Sequence, residues 1–254
     1  MLIGGLQKLT LIDYPGKLAC AVFTVGCNFR CPFCYNPELV NSGSSARKGA
    51  SESRSLTAAT PTLISELDFF DFLRSRQGLL EGVCVTGGEP LLHNDLPEFL
   101  RKIKDLRFEV KIDTNGTSPD KLRELIREGL VDYAAMDIKT NLKTQNSKLK
   151  TSYEKAAGVH VNLENIKRSI QFIMQSGLDY EFRTTVVPGL HQEEDIINIA
   201  EEIRGAKRYY LQQFRAGGKL LDISMREVKP YPREFLEKIR DKVKEFFEIC
   251  EVRG

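Results

Sequence analysis

The chain has 254 residues, of which 41% are hydrophobic and 28% charged, with a formal net charge of +2. That length suits one domain with a full core, and α/β barrels commonly reach it undivided. So even a balance argues against nucleic acid and anionic membranes as partners, and no run of about eighteen apolar residues is available to span a bilayer.

In chain order, β-branched apolar runs alternate with patterns of helical period. The pattern predicts a strand over Leu18–Val25, a helix over Leu63–Arg76 and a strand over Gly82–Thr86. It continues with a helix over Leu96–Lys104, a strand over Phe108–Thr114, a helix over Pro119–Glu128 and a strand over Val131–Lys139. Then come a helix over Leu163–Gln175, a strand over Asp179–Val187, a helix over Glu193–Arg204 and a strand over Arg208–Phe214. A last amphipathic helix is predicted over Arg233–Phe247, with Phe235, Leu236, Ile239, Val243, Phe246 and Phe247 on one side. Ser118 before Pro119 and Asn162 before Leu163 read as N-caps, and Gly129, Gly177 and Gly205 as helix stops. Repeated strand–helix–strand units mean parallel strands joined by right-handed crossovers. About six units fit, so the expectation is an α/β fold: a partial (β/α)6 TIM-like barrel with a C-terminal helix, one domain over 1–254. The segment NSGSSARKGASESRSLTAATPT, residues 41–62, is nearly without large apolar side chains and is expected to be a mobile loop.

Alternate residues of a strand share a face. In FEVKIDTN this puts Glu109, Lys111, Asp113 and Asn115 together; in AMDIK, Asp137 with Lys139; in YEFRTT, Glu181, Arg183 and Thr185. Edge strands or a structural ion-pair network would explain one such face. Three in succession suggest a site, because buried charges must be paired or ligated and barrels bind ligands at strand C-termini.

Three of the six cysteines fall in eight positions, in GCNFRCPFCYNPE: Cys27, Cys31 and Cys34. The start MLIGGLQKLTLIDYPG has no secretory signal pattern, so a cytoplasmic address with reduced thiols is expected, where clustered cysteines bind metal more often than they pair. Three thiolates can hold three corners of an iron–sulfur cubane, whereas a closed zinc site needs a fourth ligand. Cys20, Cys84 and Cys250 read as core residues. His93, in EPLLHND, is kept as an alternative ligand; His160 and His191 are scattered.

The spacing Cys27-x-x-x-Cys31-x-x-Cys34, with Phe33 before the last cysteine, resembles the signature loop of the radical S-adenosylmethionine (SAM) superfamily. TGGEP at 86–90, DTNG at 113–116, DIK at 137–139 and RTTVVPG at 183–189 resemble further elements of its glycyl-radical-activating branch. The resemblance implies a [4Fe-4S] cluster on the three cysteines whose open iron is chelated by SAM. It implies that Gly87, Gly88 and Glu89 hold the methionine ammonium, that Lys139 and Asp113 position the carboxylate and its surroundings, and that Arg183 borders SAM. Phe33 and Val187 would line the adenine, Thr114, Asn115 and Asp137 belong to the same set, and Asp113, Thr114 and Asp137 are implied as ligands of a monovalent cation. The stretch IDYPGKLACAVFTVGCNFRCPFCYNPEL is similar to the small activating proteins of anaerobic ribonucleotide reductases. One departure is Tyr35, where many activating enzymes have His directly after the third cysteine; it leaves the cluster's potential and the subfamily open.

What the resemblance implies is one-electron cleavage of SAM, a 5′-deoxyadenosyl radical, and hydrogen abstraction from a glycine Cα of an anaerobic ribonucleotide reductase. Its partners would be that reductase's large subunit and a one-electron donor such as flavodoxin or ferredoxin, with the protein supplying placement and exclusion of water. Two alternatives stand beside it: a radical SAM enzyme acting on another peptide or a small molecule, and a non-catalytic zinc or iron–sulfur module.

Overall fold

A computed structural model describes residues 1–40, 62–142 and 152–254. The loop expected to be mobile at 41–62 lies outside them, Thr62 apart. The chain divides into two compact units, Met1–Asn28 with Asn36–Asp113, and Phe29–Tyr35 with Thr114–Gly254.

In the first unit, β1 (Ile3–Thr10) runs antiparallel to β2 (Ala19–Thr24), and β2, β3 (Gly82–Gly87) and β4 (Glu109–Thr114) are successive parallel neighbours. The helices are α1 (Pro37–Val40), α2 (Glu66–Arg74) and α3 (Leu96–Asp105). β2 and β3 are buried along most of their length, as strands covered on both faces must be. Ser65 caps α2 by accepting from the Asp68 N–H, and Phe69 and Phe70 of α2 meet Phe99 of α3 with ring centroids 5.3 and 5.4 Å apart.

The second unit lays β5 (Tyr133–Asp137), β6 (Asp179–Val186), β7 (Arg208–Gln213) and β8 (Ile249–Arg253) side by side, all parallel. Its helices are α4 (Pro119–Arg127), α5 (Ser152–Ala157), α6 (Leu163–Gln175), α7 (Glu193–Glu202) and α8 (Arg233–Val243). α4 packs on α6 and α7 on α8. In each unit every parallel strand sits beside its predecessor in the chain, the winding of a β/α barrel and not of a doubly wound sheet, whose order reverses at a switch point.

The predicted strands and long helices are present within a few residues. Two strands were not expected. β1 contains Gly4 and Gly5 and breaks its register twice, between Ile3 and Gly5 and between Gln7 and Thr10, which erases the alternation. β8 lies beyond Phe247, in residues for which the pattern predicted no element. The last helix stops at Val243, a single 3-10 turn covers Lys244–Phe246, and Phe247 leaves the helix to pack against Tyr209 at 5.2 Å. Cys250 therefore lies half-buried on β8 and is not a core residue like the fully buried Cys20 and Cys84. Asn162 caps α6 as expected, but Ser118 makes no side-chain bond to α4, where Pro119 already removes one orphan donor. Lys139 sits two residues beyond the end of β5 rather than within it.

Candidate cofactor site

In the first unit, TGGEP closes β3 against the segment that carries Cys27. The Gly88 N–H donates to the Thr24 carbonyl at 2.9 Å and the Glu89 N–H to the Gly26 carbonyl at 2.8 Å. A Cβ on Gly88 would fall 2.0 Å from the Gly26 oxygen, and one on Gly87, at φ +116°, 2.3 Å from the Thr24 nitrogen. No side chain fits either place, so this approach of two backbones explains both glycines. Glu89 is buried, and its Oε1 accepts from the Leu91 N–H at 3.1 Å, capping the turn Pro90–Leu92 that ends at His93. On β4, Lys111 is 1% exposed; its ammonium pairs with Asp113 and lies 3.9 Å from the Cys84 sulfur. Glu109, at the other end of that strand, bonds Lys17 at 2.7 Å and the Tyr14 hydroxyl at 3.2 Å, so its place on the charged face is structural.

In the second unit the segment 29–35 is fixed through its backbone. The Arg30 N–H donates to Ala157 at the end of α5 at 2.7 Å, and a Cβ on Gly158 would come within 2.0 Å of the Arg30 oxygen. From the loop after β7, Leu221 and Asp222 donate to the carbonyls of Cys34 and Pro32 at 3.2 and 3.0 Å. The Tyr35 hydroxyl accepts from the Arg215 N–H at 2.8 Å, which gives the residue that departs from histidine a defined task. Phe33 is buried, with the Lys139 ammonium 6.0 Å from its ring centroid.

A chain of charges runs across β5 and β6. Asp137 and Arg183 are register partners; the Arg183 Nε lies 2.8 Å and the Lys139 ammonium 3.1 Å from the Asp137 carboxylate. Arg183 also reaches Glu181 at 3.6 Å, and Glu181, buried, accepts from the Tyr133 hydroxyl at 3.0 Å and faces Arg253 of β8 at 3.3 Å. The charged faces of β5 and β6 read from the sequence are therefore one connected array. Burial alone would raise the Asp137 pKa, but Arg183 and Lys139 outweigh it and hold the carboxyl well below its usual range. Burial likewise favours the neutral amine of Lys139, yet Asp137, with the negative charge of a thiolate at nearby Cys31, keeps it protonated well above the usual lysine value.

Thr114 and Asn115 have a local role. Thr114 Oγ1 accepts from the Gly116 N–H at 3.1 Å, and Asn115 Oδ1 from the N–H and hydroxyl of Thr117 at 3.1 and 2.7 Å. Ser169 of α6 then pins the turn by donating to the Gly116 carbonyl at 2.7 Å. Each residue implied for a monovalent cation has a partner of its own: Asp113 faces Lys111, Asp137 faces two cations, and the Thr114 hydroxyl oxygen accepts from a peptide N–H.

Each unit, taken by itself, offers groups that suit a cluster with SAM. Among the described residues no three Cys, His, Asp or Glu side chains gather as ligands to one ion; a cubane asks for something else, one thiolate on each of three irons. The protonated Lys139 beside Cys31 suits thiolate and carboxylate alike, and the buried Glu89 suits an ammonium.

Several participants were not among the sequence candidates. Tyr153 is fully buried and its hydroxyl accepts from the Lys139 N–H at 3.4 Å. His191 accepts at Nδ1 from the Val187 N–H at 2.9 Å and meets the Lys139 carbonyl at Nε2, 2.6 Å away. Lys111 and Glu181 were already visible as members of charged faces. Arg253 lies on the unforeseen β8, and His191 gave no signal except its place just after VVPG.

The sequence matches the Radical SAM superfamily over residues 21–204. A Methanocaldococcus jannaschii protein provisionally named a glycyl-radical enzyme activating enzyme is 32% identical over 218 residues, 84% of this chain and 80% of that one. The pyruvate formate-lyase-activating enzyme of Clostridium pasteurianum is 26% identical, covering 97% of this chain and 98% of its own. Among solved structures, Streptococcus suis SuiB bound to S-adenosylmethionine has a TM-score of 0.63 at 16% identity over 91% of this chain. The chain spans about half of SuiB, 49% of its length, and at that identity the likeness shows the fold, a partial TIM-like barrel. The cysteine loop, the GGE turn and a match over most of the length lead to one conclusion: the chain belongs to the radical SAM superfamily, whose members work with S-adenosylmethionine and a [4Fe-4S] cluster.

Proposed function

We propose that this radical SAM enzyme, of the glycyl-radical-activating kind, installs the glycyl radical of an anaerobic ribonucleotide reductase. The observation that carries the reading is the second unit's arrangement: Phe33 of the clamped cysteine segment stands 6.0 Å from the ammonium of Lys139, which closes the array to Asp137 and Arg183. When bound, the cluster and SAM supply one-electron cleavage of a sulfonium and, through it, removal of a hydrogen atom from carbon. In this reading Cys27, Cys31 and Cys34 hold the cluster. Glu89 takes the SAM ammonium beside Gly87 and Gly88, and Lys139 takes the carboxylate, held in place by Asp137. Asp113, fixed by Lys111, and Arg183, fixed by Asp137, orient the rest, while Phe33 and Val187 wall the adenine and keep water out. Thr114 and Asn115 act through the turn they build. No side chain is needed as a general base.

The reductase as target is supported by the stretch from Ile12 to Leu39, which resembles the small reductase activators. The Methanocaldococcus relative is named for activating a glycyl-radical enzyme and the Clostridium one for activating pyruvate formate-lyase, which supports an enzyme partner of that kind; the one-electron cleavage then calls for a donor of the flavodoxin or ferredoxin type. Among the described residues no helix is long and apolar enough to cross a membrane, and the reading places the protein in the cytoplasm. The test is anaerobic reconstitution with iron and sulfide, reduction, and incubation with SAM and the candidate reductase, followed by electron paramagnetic resonance. A glycyl doublet on the reductase is expected. SAM cleavage with a doublet on pyruvate formate-lyase and none on the reductase would move the target to the substrate that the Clostridium relative's name gives, and no SAM cleavage at all would end the reading.

A further inference from the structure

His191 is 1% exposed and its ring joins two loops that are 52 positions apart in the chain. A peptide N–H can only donate and a carbonyl can only accept. The Val187 N–H at 2.9 Å therefore requires a bare Nδ1, and the Lys139 carbonyl at 2.6 Å requires the proton on Nε2. Both ring nitrogens are committed in one neutral tautomer. The residue is itself tied down: its N–H donates to the Val187 carbonyl at 2.9 Å, and its carbonyl accepts from the Tyr231 hydroxyl at 2.9 Å. The other side of Lys139 is held by Tyr153 through the peptide N–H.

We infer that His191 is a positioning residue for SAM, one that sets the Lys139 ammonium and the Val187 wall at a fixed separation without touching the cofactor. This rests on the reading that Lys139 and Val187 border SAM. The geometry explains why the residue is a histidine: few side chains accept and donate about 2 Å apart with so little freedom, and the position needs both. An imidazolium would turn an N–H toward the Val187 N–H and lose that bond. The charged and titratable groups facing the ring are Lys139, which disfavours its protonation, Asp195 of α7, which favours it, and the Tyr231 hydroxyl on its backbone. Burial is the largest influence and keeps the imidazole neutral to a lower pH than usual.

Two variants separate this role from mere packing. His191→Phe keeps a ring but neither bond; His191→Gln can accept and donate in the same places. Expected in His191→Phe, after anaerobic reconstitution, are an unchanged cluster absorbance per chain, a SAM dissociation constant about tenfold higher, and faster amide exchange at Val187 in the cofactor-free chain. His191→Gln should return SAM affinity to within about threefold of wild type, by restoring both bonds. It should also lose the weakening that wild type shows as pH falls from 7.5 to 5.5. If His191→Phe does not fold, the pH comparison decides alone: parallel profiles for wild type and His191→Gln overturn the inference. Unchanged SAM affinity in a folded His191→Phe overturns it too. Lys139→Ala is the control for the underlying reading. If it leaves SAM affinity untouched while Val187 exchange still responds to His191→Phe, the assignment of Lys139 fails and takes this role with it; if it weakens binding while both His191 variants bind normally, only the inference on His191 fails.

Discussion

At the scale of single residues, the centre of the second unit is a carboxylate shared by two cations. Asp137 has Arg183 at 2.8 Å and Lys139 at 3.1 Å, and neither cation is exposed enough for water to screen it fully. Such an array is costly to build and costlier to leave half-built, which argues that it is retained for what it can bind. Lys139 is the member whose ammonium, held by Asp137, also faces Phe33, so its removal should show first in ligand affinity. Lys139→Ala is expected to raise the SAM dissociation constant about 10- to 100-fold, the worth of a charge-assisted contact, with the cluster's visible absorbance retained. Equilibrium titration of the reconstituted protein reads this directly. Affinity within twofold of wild type would remove Lys139 from the site. Arg183 is more constrained, since it serves both Asp137 and Glu181, and its loss should affect stability as well as binding.

At the scale of elements, the cysteine segment owes its shape to its neighbours and little to its own sequence. Gly158, at φ +72°, ends α5 where a Cβ would strike the Arg30 carbonyl at 2.0 Å. Gly158→Ala should therefore push Arg30 and Cys31 out of place besides straining its own backbone by about 1 to 2 kcal/mol. Iron bound per chain after reconstitution should fall to less than half of wild type, as measured by iron assay; full iron loading would show that the α5 contact is dispensable. The same contrast explains what was legible beforehand. Strands β2 to β7 and the long helices announce themselves by period, since each buries a stripe at regular spacing. The three cysteines, the GGE turn and the charged faces announce themselves by chemistry at short range. β1 and β8 do not, because one is broken by two register slips and the other is five residues long and follows a helix without a glycine or proline stop. His191, Tyr153 and the Tyr35–Arg215 bond were illegible for another reason: each joins positions that only the tertiary fold brings together, the last across 180 positions.

For the molecule as a whole, the buried imidazole sets an acid limit. His191 is held below its usual pKa of 6.5, so the unfolded chain takes up a proton in a range where the folded chain does not. Stability must then rise with pH through that window and fall as pH drops below about 6.5, by up to about 1.4 kcal/mol per pH unit for one proton. Asp137, held low by its cations, adds a second loss only below the ordinary aspartate range, near 3.8. Urea unfolding at pH 7.5, 6.0 and 5.0 should show the first loss in wild type and a flatter profile in His191→Gln. Equal midpoints in wild type at all three values would contradict it. The loop after β7 has a consequence of another kind. Arg215, Gly217, Gly218 and Lys219 are exposed, yet Arg215 on one side of them holds Tyr35, and Leu221 and Asp222 on the other hold Cys34 and Pro32. A trypsin cut after Lys219 would place those anchors on separate fragments. Iron should then escape from nicked protein faster than from intact protein, and a loaded cluster should slow the cut, so that susceptibility to a protease becomes a gauge of metallation.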